Sequence, residues 1–159
     1  MLAPMSEELL GAILGALERE RVRYALFGGI AVGAHGISRA TKDLDLFLDP
    51  APANVEAARR ALARALADPA LDELTPELVA EYGLVRYGLP EHDFAIDLTT
   101  RIGEAFRFED LETERREVAG VSVPVVTARQ LIRMKEATGR PQDAADVVRL
   151  RDLLGEDHD

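Results

Sequence analysis

With 159 residues, 47% of them hydrophobic and 30% charged, the chain is apolar enough for a folded core, too apolar for disorder and too short for two ordinary domains. Its formal charge of −10 argues against a broad phosphate-binding surface, because generic nucleic-acid affinity comes mainly from lysine and arginine. The absence of cysteine excludes disulfides, thiolate chemistry and cysteine-held zinc. No apolar run reaches the roughly 20 residues that cross a bilayer, and "MLAPMSEELL" has neither the basic start nor the apolar stretch of a signal peptide. A cytoplasmic protein without a membrane partner is expected.

Ser6 is placed to cap a helix with Glu7 and Glu8 in its first turn and Leu9, Leu10, Ile13, Leu14 and Leu17 as its apolar stripe. "RYALF" (Arg23 to Phe27) reads as a short strand, broken by Gly28-Gly29 before a short helix in "IAVGAHG". "KDLDLFLD" (Lys42 to Asp49) alternates, with Leu44, Leu46 and Leu48 on one face and Asp43, Asp45, Phe47 and Asp49 on the other. Pro50 and Pro52 precede the helix former "ANVEAARRALARALA", and the acidic stretch Asp68 to Tyr82 reads as loop with some helix. "GLVRYGL" and "DFAIDLT" predict a hairpin turning at Pro90-Glu91-His92, with Asp97 a further acid in an apolar strand. A second hairpin is expected near Gly120, followed by a helix opened by the Thr127/Gln130 capping box and closed by Gly139. Pro141 starts the last helix. This order predicts an α+β (mixed α/β) fold: a small mixed β-sheet flanked by helices, in one domain over 1–159. Its core spans about 22–100, with a C-terminal hairpin and helices over about 115–155.

Period two puts Asp43 and Asp45 on one strand face, about 6.5–7 Å apart at their roots. Burying like charges costs several kcal/mol unless a cation compensates. A divalent ion is the economical partner: magnesium takes oxygen ligands and is typically held by one or two carboxylates plus substrate phosphates. A third acid on a neighbouring strand would complete a two-metal site for in-line displacement, and Asp97 is the candidate. Gly28 and Gly29, lacking side chains, let backbone N–H groups approach a phosphate, and Arg39, Thr41 and Lys42 lie close enough in sequence to assist.

Gly28-Gly29, thirteen intervening residues, then Asp43-Leu44-Asp45 between apolar neighbours resembles the signature of the DNA polymerase β-type nucleotidyltransferase superfamily. "RATKDLDL" and the later "LIRMKEATGRPQDAADVVRLRDLL" resemble its AbiEii-type toxin branch, in which a lysine helix precedes an aspartate-rich one. The resemblance implies the nucleotidyltransferase fold with C-terminal helices, Mg2+ or Mn2+, and transfer of a nucleoside monophosphate from an NTP to an RNA (tRNA among them) or protein acceptor. It also implies a place in a toxin–antitoxin pair, with a cognate partner protein. On it, Asp43 and Asp45 bind metal, Asp97 binds metal or acts as base, Gly28 and Gly29 hold the triphosphate, and Lys135 with Asp143 or Asp146 supports the nucleotide. Two alternatives use the same residues: an antitoxin-like adenylyltransferase acting on a partner protein, and a non-catalytic nucleotide- or partner-binding module.

Competing roles exist for several of these side chains. Asp97 could pair with Arg101; Asp143, Asp146 and Arg149, three apart, could form surface ion pairs; Lys135 could be solvated. His35 reads as a structural residue near the glycine loop, and His92 and His158 have no evident partner.

Overall fold

Ser6 starts the first helix as its side chain dictates: its hydroxyl accepts the Leu9 N–H at 3.1 Å, opening α1 (Glu7–Arg19). A computed structural model describes residues 2, 4–38, 40–137 and 140–155, so Arg39, Gly139 and His158, singled out above, lie outside the described residues. Ile13, Leu14, Ala16 and Leu17 of α1 are buried, the 3.6-residue stripe facing inward.

Among the described residues eight strands follow in chain order: β1 (Tyr24–Phe27), β2 (Asp43–Leu48), β3 (Leu84–Gly88), β4 (Ala95–Thr99), β5 (Arg101–Ile102), β6 (Phe106–Arg107), β7 (Thr113–Val118) and β8 (Val121–Val126). Six of them form one mixed sheet in the order β3-β4-β2-β1-β8-β7. β2 runs parallel to β4, β1 runs parallel to β8, and the other neighbours are antiparallel. The two predicted hairpins are β3–β4 and β7–β8. β7, with the sequence TERREV, is an outer strand and almost wholly exposed, its charges guarding an open edge.

Helices α2 (Gly28–Ala34), α3 (Pro52–Leu66), α4 (Pro76–Tyr82), α5 (Ala128–Glu136) and α6 (Pro141–Leu154) complete the layers. α1 packs on α3, α5 packs on α6, and α2 lies against β1 and β2 and touches α5. Leu44, Leu46 and Leu48 on one face of β2 are fully buried, and so is Phe47 on the opposite face, edge-on to Phe27 at 5.6 Å between ring centroids. Only the leading end of the acid-bearing face is therefore left open. Asn54 in the first turn of α3 accepts the Arg23 N–H and donates to the Arg23 and Asp49 carbonyls, tying that helix to the ends of β1 and β2.

The sequence reading needs correction in two places. Asp68 to Tyr82 is mostly helical: a 3-10 turn over Pro69–Glu73, capped by Asp68, is followed by α4, whose Thr75 hydroxyl accepts the Leu78 N–H. Each proline sits in a first helical turn, where its missing N–H costs nothing. The two-residue ribbon β5–β6 was not expected, and is too short to show a period.

Candidate active site

The strand register assembles the site. Asp45 pairs with Phe27 on one side and with Asp97 on the other, and Asp97 pairs with Arg86, so one row crosses four strands as Phe27, Asp45, Asp97 and Arg86. Paired residues point to the same face. Asp43, two positions before Asp45, joins them, and all three acids line a cavity of about 800 Å3 with Gly28, Gly29, Thr41, Lys42, Arg86, Lys135, Arg140 and Asp143.

Gly28 follows Phe27 directly and begins α2. Its φ is +71°, and a Cβ there would stand 2.0 Å from Asp45 Oδ2. Glycine is demanded twice, by the left-handed backbone and by the carboxylate that fills the space of a side chain. Thr41 holds the other entrance: its hydroxyl bonds the Asp43 N–H at 3.3 Å and the Asp43 carbonyl at 3.2 Å, fixing where β2 starts.

The acids are neutralised from within. Arg86 Nη2 donates to Asp43 at 2.6 Å, and Nη1 donates to both Asp97 oxygens at 3.0 and 3.2 Å. Asp97 in turn shares a hydrogen bond with Asp45. Burial, then the charges of Asp97 and Asp43, push the Asp45 carboxyl up to about 7. Burial also raises Asp97, with Asp43 adding to the effect and the Arg86 charge opposing it. A cluster that retains a proton and recruits a guanidinium has more negative charge than it can carry alone.

That donor set fits a divalent cation: three carboxylates offer hard oxygen ligands, and the site already draws positive charge to itself. Among the described residues no three such side chains are yet gathered as a ligand group, because Asp43 and Asp97 are turned to Arg86 and Asp45 to Asp97.

Behind Asp45 lies a second charged cluster, which the surface-pair reading does not describe. Lys135 on α5 is buried, with Nζ 3.2 Å from Asp143 and 3.1 Å from Asp146, both buried on α6. Arg140 Nε donates to the other Asp143 oxygen at 2.7 Å. The Lys135 charge partly offsets the rise at Asp45. Arg149, by contrast, donates to the Ser38 carbonyl at 3.2 Å.

Residues 12–154 match the family described as "Nucleotidyl transferase AbiEii toxin, Type IV TA system". The chain belongs to the AbiEii nucleotidyltransferase family. No curated protein matches it. Among solved structures, this AbiEii-family chain is similar to ANT(2")-Ia in complex with adenylyl-2"-tobramycin, with 16% identity, TM-score 0.55 and coverage of 94% of this chain and 89% of that one. It is also similar to the lincosamide antibiotic adenylyltransferase LnuA, lincomycin-bound, with 14% identity, TM-score 0.57 and coverage of 94% and 99%. At these identities the likeness shows the fold, and the family match shows the class of enzyme: a nucleotidyltransferase.

Of the residues expected from the AbiEii-type sequence, the structure brings together Asp43, Asp45, Asp97, Gly28, Gly29, Thr41, Lys42, Lys135 and Asp143. Lys42 is exposed, and its ammonium pairs with Asp93 at 2.7 Å. His35 stands apart, buried and bonded through Nε2 to the Val126 carbonyl at 2.9 Å, a structural role. Arg101 does not meet Asp97; it donates to the Ala80 and Glu81 carbonyls. Arg86 and Arg140 were missed. Counting outward from the 90–92 turn sets Arg86 opposite Ile96; the observed register, Gly88 against Ala95, is shifted by one residue and puts Arg86 opposite Asp97, so this partner was not legible in the sequence.

Proposed function

We propose that this nucleotidyltransferase moves a nucleoside monophosphate from an NTP to a hydroxyl of an RNA or protein acceptor, releasing pyrophosphate, and works within a toxin–antitoxin pair. The observation that carries the reading is the placement of Asp43, Asp45 and Asp97 on one open sheet face, beside the Gly28 turn. The cavity they line lies in the usual range of about 300–1,000 Å3 for small-molecule sites.

On this reading Asp43, Asp45 and Asp97 would hold Mg2+ or Mn2+, which when bound neutralises phosphate charge and acidifies the acceptor hydroxyl. The backbone of Gly28 and Gly29, at the cavity wall, would take the triphosphate, and Thr41, Lys42, Lys135 and Arg140 supply donors and positive charge around it. Asp97, on the strand beside the β2 pair, would take the acceptor proton. Asp143 keeps Lys135 and Arg140 oriented toward the cavity. Arg39, close to these in sequence, is proposed for the phosphates from the motif alone.

A second reading concerns the acceptor. The formal charge of −10 and the carboxylate-rich cavity suit a hydroxylated cation of small size better than a polyanion. The fold neighbours' bound compounds, an adenylylated tobramycin and lincomycin, are in keeping with it.

Incubation with each α-labelled NTP and Mg2+, together with total RNA, cell lysate or an aminoglycoside, tests both readings beside an Asp43→Ala/Asp45→Ala variant. Label carried to RNA or protein by wild type alone supports the first; label carried only to the small molecule replaces it with the second. If no acceptor takes label and the variant binds NTP as tightly as wild type, catalysis at these acids is wrong.

A further inference from the structure

Arg86 contacts two of the proposed metal ligands themselves, and its geometry has a consequence for how those ligands become available. The guanidinium spans Asp43 and Asp97, with its two terminal nitrogens at 2.6 Å from one and 3.0 Å from the other. Antiparallel pairing of β3 with β4 sets Arg86 directly opposite Asp97, so the backbone delivers the side chain to this place. The side chain is 59% exposed, while that of Asp97 is only 13% exposed. A guanidinium so exposed is rehydrated as it leaves, and its pair with the more accessible Asp43 is worth little, while at the more buried Asp97 the incoming cation replaces its charge.

We propose that Arg86 is an internal counter-cation that holds Asp43 and Asp97 in the ligand-free protein and must leave before a divalent ion can take them. The inference rests on the metal reading given above. A guanidinium and a metal cannot share the same carboxylate oxygens, so the two compete directly. Arg86 also faces the cavity with Gly28 and Lys42, where an incoming triphosphate would offer it a new anionic partner suited to its planar fork. Metal alone therefore binds against Arg86, whereas metal arriving with nucleotide finds Arg86 drawn away. Arg86 is a positioning residue in this scheme, acting through the carboxylates it releases.

The test is binding of Mn2+ alone to the intact protein, read as loss of the free-ion electron paramagnetic resonance signal at about pH 8, where carboxylates of this kind are largely ionised. Wild type is compared with Arg86→Gln, Arg86→Lys and Asp97→Asn, each checked for folding by its urea midpoint. Arg86→Gln should bind Mn2+ roughly five- to tenfold more tightly, the release of its two pairs, with Asp43 and Asp97. Arg86→Lys, which keeps the charge but loses the two-armed bridge, should fall between, and Asp97→Asn should bind more weakly than wild type. If Arg86→Gln and Arg86→Lys bind no more tightly than wild type while Asp97→Asn weakens, competition by Arg86 is overturned and the metal site stands. If Mn2+ binding is absent or identical in all four proteins, the metal reading itself fails and takes the inference with it.

Discussion

Asp45 is a carboxyl whose surroundings oppose its ionisation. An ordinary aspartate loses its proton near 3.8, whereas burial and the neighbouring acids hold this one to about 7. Between those values the folded state binds more protons than the unfolded one, so stability must fall as pH rises through that window and stay low above it. Asp45→Asn removes the effect. In chelator-treated protein the variant should exceed wild type in unfolding free energy by on the order of 2–4 kcal/mol above pH 7, and by progressively less toward pH 4. Urea denaturation at pH 5 and 8 reads the difference; a wild type that gains stability between them would reverse the assignment. Gly28→Ala belongs beside it. With φ at +71° and Asp45 Oδ2 in the way, the substitution should cost about 2–3 kcal/mol, of which about 1 kcal/mol is backbone strain. A double-mutant cycle checks this: in an Asp45→Ala background only the strain should remain.

At the scale of elements, α5 and α6 are joined by charge as well as by apolar packing. Lys135→Met would leave Asp143 and Asp146, 2% and 3% exposed, without the lysine that lies between them. A loss of about 3–5 kcal/mol is expected, as for other broken buried pairs, read by thermal or urea unfolding; a loss under about 1 kcal/mol would mean that Arg140 alone suffices. Elements were legible wherever one chain segment carried its own period. The alternation of β2 and β4 exposed Asp43, Asp45 and Asp97, and the caps Ser6 and Thr127 marked helix starts that the structure retains. What the sequence concealed depends on pairs of segments. Asp143 and Asp146, three apart, imitate a solvent face until α5 is laid over them, and Arg86 looks like an exposed arginine until β3 is registered on β4. The helical content of 68–82 was hidden by Pro69 and Pro76, which read as breaks but open helical turns.

For the whole molecule, the acidity that argues against RNA at large concentrates a demand for cations at one place. Mg2+ and an NTP together, at about 100 times their dissociation constant, should raise the unfolding free energy by about 2.7 kcal/mol. The Asp43→Ala/Asp45→Ala variant should show little of that gain. A thermal shift series with Mg2+ alone, NTP alone and both separates the contributions, and an equal shift in the variant would place the ligand elsewhere.

The parallel pairing of β1 with β8, Leu26 against Val125, carries a consequence for synthesis. During translation all three proposed metal ligands are already made when Asp97 emerges, yet the strand leading into the Gly28 turn still lacks one neighbour, supplied some thirty residues later. Closing a contact about a hundred residues long is slow relative to local pairing. A ribosome-bound or prematurely ended chain thus presents β1 as an open edge, so the enzyme comes into being only once its last third has been read. For a member of a toxin family, a message cut short yields no partly active product.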